Sequence, residues 1–320
     1  MSQGPEIEND TAWVDVPDEL AAELDTYADL CHHLVLAWME MARGLAVLPA
    51  NGSPAATEAR QFREAKPDAP ANVEHGAGQR AGLYVDAISQ QLLAVEALLR
   101  ARRVAVALWP LVRAELEFAG RAAWLLDPRV QVEAGEVRVA RLYLEAISSL
   151  RRERYTAGKF DRGHGNRAKV LRDTKIAEAR AIFGETAVEI DLSSPDLIET
   201  WTVAGQGMAS LGGAAASFAD LCFEGKTKVL YDSLSDYSHP SLLTVDKQSI
   251  PIEIDGVARR PWTVGRGVVA WQVRLACLIF YKACHLVAGY YAIDDSALEQ
   301  WADGVPPEWF GPDTVNRDES

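Results

Sequence analysis

The strongest constraint on the fold is a run of apolar residues near the start of the sequence, spaced alternately four and three positions apart. The run extends from Leu20 to Leu48, begins after Pro17 and Asp18, and stops at Pro49. An α-helix repeats every ~3.6 residues, so this spacing places the whole run on one helical face. The pattern predicts a long amphipathic helix that must bury that face against other helices.

Apolar periodicity predicts further helices along the rest of the chain. The third helix of the chain, at about residues 104–126, is apolar on all sides, which is typical of a helix at the centre of a bundle. Shorter helical pieces are expected between residues 195 and 222, where several glycines interrupt the pattern. The longer predicted helices span about residues 79–102, 104–126, 129–156, 168–183, 227–239 and 268–293.

The predicted fold class is all-α, a helical bundle with one small β-hairpin. The hairpin is expected at about residues 242–257, where isoleucines alternate with polar residues before Asp255-Gly256. Residues 52–78 are rich in Ala, Pro and polar side chains and are expected to form a long loop. We expect a single domain over residues 17–304, with an N-terminal tail at 1–16 and a C-terminal tail at 305–320.

Charge and cysteine usage favour an acidic cytoplasmic protein. The formal net charge is −14, which disfavours non-specific binding to nucleic acid or to an anionic membrane. The four cysteines form no CxxC pair and lie in apolar runs, as buried free thiols do in a reducing compartment. The N-terminus lacks the features of a signal peptide. The apolar stretch Val268–Ile293 contains Arg274 and Lys282, so we expect a buried core helix and no membrane span.

The third helix carries Arg113, Glu117 and Arg121 at intervals of four residues. Charges on a central helix must be paired, because an unpaired buried charge is very unfavourable. Two interpretations follow, an ion pair that holds the bundle together or a polar pocket at its centre.

The sixth helix carries a similar stripe, Tyr231, Ser235 and His239. A serine four residues from a histidine can act as a nucleophile, but neither an orienting carboxylate nor an oxyanion hole can be located in the sequence. If both stripes face inward, they satisfy one another's hydrogen bonds. We therefore predict side-chain contact between the Arg113/Glu117 pair and this stripe.

These two helices carry a resemblance to a known family. The segments are Pro110-Leu-Val-Arg113-Ala-Glu115-Leu-Glu117 and Tyr231-Asp-Ser-Leu234-Ser235-Asp-Tyr237-Ser-His239-Pro240. They resemble motifs of an uncharacterised bacterial all-α family, a domain of unknown function related to the HEPN superfamily. The resemblance covers roughly residues 77–293. It implies a helical bundle, and many HEPN proteins are toxin-like ribonucleases.

The chain departs from the ribonuclease pattern of that superfamily at one place. HEPN ribonucleases have an Arg four to six intervening residues before a His, whereas no Arg stands in that window before His239. We therefore expect a binding or interaction module with a polar centre that includes Tyr231 and Ser235. The alternative is a metal-independent, toxin-like ribonuclease. In it His239 is the general acid/base and Arg113 stabilises phosphate charge, and Glu117 completes the candidate catalytic group.

A basic segment stands out in this acidic chain. Residues 151–180 contain ten Lys or Arg against four Asp or Glu, and Arg162, His164 and Arg167 fall in an expected loop within it. Such a run is either a solvated face that balances acidic neighbours or a site for an anion or RNA.

No metal site and no cofactor are expected from the sequence. Asp29, His32 and His33 have metal-ligand chemistry, but Cys31 between them belongs to the apolar run and no second ligand group completes a di-iron site. No Walker, GxGxxG or GxSxG pattern occurs. The sequence does not identify a substrate or partner, and it is compatible with a homo-oligomer or a partner protein.

Overall fold

The structure is a computed structural model. It describes residues 18–46, 49–104, 108–193, 195–223, 227–238, 252–254, 257–259, 264–306 and 309.

Ten α-helices lie within these residues, together with a few short 3-10 turns. In chain order they are α1 (Asp18–Ala42), α2 (Pro54–Ala65), α3 (Gly76–Arg100), α4 (Leu108–Leu126), α5 (Ala134–Ala157), α6 (Arg162–Phe183), α7 (Leu211–Cys222), α8 (Thr227–Ser238), α9 (Arg266–Tyr291) and α10 (Ser296–Asp303).

Helix α4 occupies the centre of the bundle, as its all-round apolar pattern predicted. It packs against α3, α5, α7, α8 and α9. Its contact with α7 is very close, because a Cβ at Gly120 would lie 2.6 Å from the backbone of Ala214 and Ala215. Only glycine fits at this crossing.

The buried apolar residues form two clusters. The larger one fills the space between α1, α3, α4, α7, α8, α9 and α10. The smaller one lies between α5, α6 and the short strands that follow, with the fully buried Trp201 among its members. Trp124, near the end of α4, packs against both clusters and joins them.

Within the described residues, two small antiparallel sheets accompany the helices, which confirms the predicted all-α class with a minor β component. The first contains β1 (Val188–Glu189), β2 (Thr202–Val203) and β3 (Gln206–Gly207). The second is a hairpin of β4 (Ile252–Ile254) and β5 (Val257–Arg259), with Ile252 opposite Arg259. This confirms a hairpin near the predicted place, although its second strand ends at Arg259, and residues 242–251 lie outside the described part of the chain.

The expectation of a long loop over residues 52–78 is wrong. Helix α2 occupies the first half of that stretch, and α3 begins within it at Gly76. The Ser53 side chain caps α2 by accepting a hydrogen bond from the Ala56 N–H, and Pro54 stands at the first helical position. Both residues are helix-start signals that the Ala- and Pro-rich composition obscured. The helix is held in place by burial of Phe62.

The expectation that short helical pieces fill residues 195–222 is correct only in part. A 3-10 turn and α7 lie there, but β2 and β3 lie between them. The turn that joins these strands is Ala204-Gly205, and both residues have positive φ, 47° and 72°. Two such residues make the hairpin turn that suits the twist of paired strands.

Helix α9 packs inside the bundle, as expected. Among the described residues it is the one helix long and apolar enough to cross a membrane, and 61% of its apolar window is buried inside the protein. Arg274 reaches a polar partner by donating to the Trp309 carbonyl at 2.8 Å. Val305 and Trp309 are buried, so the placement of the tail boundary at residue 305 was wrong for these two residues.

Candidate functional site

The structure brings the two predicted polar stripes together. Arg113 Nε donates to Glu117 Oε1 at 3.0 Å, and the Tyr231 hydroxyl donates to the same oxygen at 3.1 Å. The Arg113 guanidinium lies 5.7 Å from the centre of the Tyr231 ring. The predicted contact between the Arg113/Glu117 pair and the Tyr231 stripe is therefore confirmed.

This cluster is satisfied internally and only partly open to solvent. The side chains of Arg113 and Glu117 are 21% and 23% exposed. Burial tends to lower the pKa of Arg113, but the hydrogen bond with Tyr231 and the charge of Glu117 outweigh it and raise the pKa. The cluster thus joins α4 to α8 through the hydrogen bond from the Tyr231 hydroxyl to Glu117. Ser235, also on α8, is half-buried, and His239 lies outside the described residues.

Arg121, one turn further along α4, joins a second polar group. Its guanidinium lies 3.6 Å from the carboxylate of Glu145 on α5 and donates to the Ala209 carbonyl at 2.9 Å. The Tyr84 hydroxyl on α3 donates to Glu145 at 2.6 Å. Burial lowers the pKa of Arg121, and the charge of Glu145 opposes this effect. Polar residues of α4 therefore connect four helices, which agrees with the structural interpretation of the stripe.

The weak metal candidate near Cys31 does not assemble. Asp29 accepts a hydrogen bond from Arg100 at 2.9 Å, and His32 lies 3.1 Å from Glu96. Cys31 is fully buried, with its sulfur 3.7 Å from that of Cys277. These groups are used in separate contacts between α1 and its neighbours.

The basic segment is helical where a loop was expected. Asp161 caps α6 by accepting from the Gly163 N–H at 2.7 Å, so the first turns of the helix contain Arg162, His164 and Arg167. His164 lies 2.5 Å from Glu153, and Arg167 lies 3.8 Å from Asp161. Arg162 alone of the three lines a surface groove. The loop prediction was wrong because the aspartate cap outweighed the two glycines of the first turns.

A cleft that the sequence did not suggest lies on another side of the bundle. It has a volume of about 740 Å³ and is lined by residues of α2, α5, α7 and α9 and by the end of α4. Its lining is largely apolar, with Leu126, Phe218, Leu221 and Leu286 among its residues. Size and lining are those of a small-molecule site.

A buried ion pair lines this cleft. Arg138 binds Glu58 through two hydrogen bonds, Nε to Oε2 at 2.5 Å and Nη2 to Oε1 at 3.0 Å. The two side chains are 3% and 11% exposed, respectively. Arg138 also donates to the Leu125 carbonyl at 3.1 Å, and its guanidinium lies 5.3 Å from the Tyr290 ring centre. The pair therefore joins α2, α4 and α5 at the cleft surface.

Two basic residues of α9 also line the cleft. His285 lies between two carboxylates, with Nδ1 3.0 Å from Asp295 and Nε2 3.2 Å from Glu299. Burial lowers the pKa of His285 and outweighs the opposing charges of Asp295 and Glu299. One ligand atom from each of these three residues lies within 4.8 Å of the others, so they are the group among the described residues that could hold a metal ion. Lys282 has no carboxylate at ion-pair distance within the described part of the chain.

Sequence reasoning missed the cleft because its residues come from distant segments. Gly289 was the available signal, since a glycine inside a long apolar helix often marks a place where space is needed. A Cβ at Gly289 would have nothing within 4 Å. No protein-family model matches the chain, and no curated protein or solved structure matches it significantly.

Proposed function

We propose that this protein is a cytoplasmic binding module related to the HEPN superfamily, and that its ligand is a small, mainly apolar molecule with an acidic group. The observation that carries the proposal is the cleft of about 740 Å³ between α2, α5, α7 and α9. The relationship to HEPN proteins is supported by the contact of Tyr231 with Glu117, which joins the two motifs of the resemblance. The cytoplasmic location is supported by four free cysteines, of which three are buried.

The lining of the cleft defines the ligand. Apolar side chains such as Phe218 and Leu286 favour an apolar body, since removing apolar surface from water supplies most of the binding free energy. Glu58 and Arg138 already satisfy each other and need no ligand charge. Lys282 lines the cleft with its Nζ 5.7 Å from the centre of the Tyr281 ring, and no carboxylate of the described residues lies at ion-pair distance from it. An acidic group on the ligand would accept a charge-assisted hydrogen bond from the ammonium group of Lys282.

Filling the cleft is expected to abolish binding of 1-anilinonaphthalene-8-sulfonate, a probe with an apolar body and one anionic group. Gly289→Phe places a ring where a Cβ has open space, so the helix tolerates the change and the cleft does not admit the probe. Probe fluorescence titrated against protein is the measurement. Lys282→Gln should weaken binding about tenfold, which corresponds to one charge-assisted hydrogen bond of ~1.5 kcal/mol.

Gly267→Phe is the matched control. Gly267 lies in the same helix, a Cβ there also has nothing within 4 Å, and it is exposed outside the cleft. The control should bind the probe as the parent does. Equal binding by the Gly289→Phe variant and the parent would refute the cleft as the binding site.

A metal-independent ribonuclease is the second candidate. What favours it is the position of Arg113, whose guanidinium lies 5.7 Å from the ring of Tyr231 on the helix that precedes His239. If this candidate is correct, the protein cleaves a fluorogenic single-stranded RNA in the presence of a chelator. His239→Ala should then reduce cleavage at least ~100-fold, the contribution typical of a general acid/base. His33→Ala, which removes an exposed histidine of α1, should leave cleavage unchanged. Absence of cleavage by the parent would eliminate the ribonuclease and leave the binding proposal untouched.

A further inference from the structure

A second concave site lies where the end of α5 meets the start of α6. This groove has a volume of about 590 Å³, and five of its eleven lining residues are Arg or Lys while none is Asp or Glu. The five are Arg151, Arg154, Lys159, Arg162 and Arg172. In a protein with a net charge of −14, so many cations in one groove mark a local preference for anions.

Arg172 is the group that requires explanation. Its side chain is 3% exposed, and both Nε and Nη2 bind one oxygen of Asp173, at 3.0 and 2.5 Å. The remaining nitrogen, Nη1, is buried and has no hydrogen-bond partner among the described residues. A buried N–H donor without an acceptor is unfavourable, so this guanidinium lacks an acceptor that a ligand in the groove would supply.

The exposed cations of the groove are available to the same ligand. Arg154, Lys159 and Arg162 have no carboxylate at ion-pair distance in the part of the chain that the structure describes. Lys159 Nζ lies 4.7 Å from the ring centre of Tyr155, which also lines the groove, and this ring contact does not neutralise its charge. Arg151 already has partners in the protein, because its Nη1 donates to the Leu192 carbonyl at 3.2 Å and its guanidinium lies 5.3 Å from the centre of the Trp201 ring. A ligand therefore does not need to satisfy it.

The acidic residues nearest to this groove do not neutralise it. Asp161 lies opposite Arg167, and Glu153 lies opposite His164. Both of these basic residues are absent from the lining. Asp173 offsets the charge of Arg172, and the charge of Asp191 acts on Arg151. The positive charge left for a ligand is therefore that of Arg154, Lys159 and Arg162.

Two glycines let a ligand approach the main chain of the groove. Gly158 and Gly165 both line it, and a Cβ at Gly165 would lie 2.8 Å from the Cα of Gly158. The helix ends therefore meet backbone to backbone, and no side chain of these two residues fills the space above them.

We propose that this groove binds a small ligand with two or more phosphate groups, at a site separate from the apolar cleft. Arg172 lines the groove, and a small movement of its side chain would bring Nη1 to one phosphate. The exposed Arg154, Lys159 and Arg162 would neutralise the other. Planar guanidinium groups suit phosphate oxygens because their donors form a rigid fork. A groove of about 590 Å³ has the size of a small-molecule site. The overall charge of −14 repels a long polyanion such as RNA.

Isothermal titration with inorganic pyrophosphate tests this proposal on the full chain. We expect one pyrophosphate per protein and binding at least ~10-fold weaker for orthophosphate, because one phosphate cannot reach both groups of cations. Arg162→Gln, an exposed substitution, should weaken pyrophosphate binding at least ~10-fold. Arg172→Lys keeps the charge but loses the fork, and should weaken it to a similar degree.

Arg167→Gln is the matched control, since it removes the same charge from the same helix at a residue outside the groove lining. Its pyrophosphate affinity should equal that of the parent. Circular dichroism establishes whether each variant is folded. If Arg172→Lys does not fold, the comparison of Arg162→Gln with Arg167→Gln still tests the proposal.

Three outcomes would overturn the proposal. The first is no binding of pyrophosphate, and the second is equal weakening by Arg162→Gln and Arg167→Gln, which would indicate general charge attraction. The third is much tighter, strongly salt-dependent binding of a single-stranded RNA of about twelve nucleotides, which would make the groove a nucleic-acid site. None of these results bears on probe binding at the cleft, so the two proposals fail independently.

Discussion

Replacement of Arg138 by alanine is expected to destabilise the protein by about 3–5 kcal/mol, because it leaves a buried carboxylate without its cation. Arg138 and Glu58 are 3% and 11% exposed and share two hydrogen bonds. The substitution also removes the donor to the Leu125 carbonyl at the end of α4. Three helices therefore lose their common contact at once.

Denaturant unfolding monitored by circular dichroism measures this effect. Arg167→Ala is the control, because it breaks an ion pair with Asp161 in which both side chains are exposed, at 69% and 61%. Exposed pairs contribute little, so this change should cost no more than ~1 kcal/mol. If the two variants lose the same free energy of unfolding, the buried Glu58–Arg138 pair does not stabilise the helix packing more than an exposed pair does.

Glu115→Gln is expected to stabilise the protein, and by more as the pH rises. Glu115 is fully buried in α4, and neither oxygen of its carboxyl group has a hydrogen-bond partner in the part of the chain that the structure describes. Burial raises the pKa of Glu115 well above its usual 4.5. The folded state therefore holds a proton that the unfolded state releases above that value. Stability from this group is complete below the unfolded-state pKa and is lost as the pH rises towards the folded-state pKa, at about 1.4 kcal/mol per pH unit.

Melting temperatures of the parent and the variant between about pH 4 and pH 8 test this sign. The two should agree at the acidic end, where Glu115 is protonated in both states, and the variant should melt progressively higher above it. Glu64→Gln, at an exposed position of α2, should follow the parent at every pH. A constant difference between Glu115→Gln and the parent would show that Glu115 does not titrate on unfolding.

The long helices could be predicted because their apolar period runs through many turns. Five of the eight buried residues of α1 are positions of the predicted apolar run, namely Leu24, Cys31, Leu34, Trp38 and Met41. The other three, Ala28, Val35 and Ala37, lie beside that run on the helix. Helix α2 escaped prediction because its signals are local, a serine cap and a proline, in a stretch whose composition is typical of a loop. The strands β2 and β3 have two residues each, too few for a period to be visible.

The candidate site was predictable only where one helix carries a complete pattern. Arg113 and Glu117 stand four residues apart, and this spacing alone predicts their contact. Glu58 and Arg138 are 80 residues apart, so no local spacing relates them. The same holds for the cleft as a whole, whose lining is assembled from four helices and the end of a fifth. Long-range packing decides such sites, and periodicity does not encode it.

The contact of Gly158 with Gly165 sets the separation of α5 and α6 through main-chain atoms alone. The backbone geometry of the basic groove therefore does not depend on the exposed basic side chains that line it. Arg154, Lys159 and Arg162 can drift over evolutionary time, and ligand preference can diverge while the fold stays the same. The apolar cleft has the opposite character. There the Glu58–Arg138 pair belongs both to the lining and to the joint between helices, so recognition and folding can evolve only together.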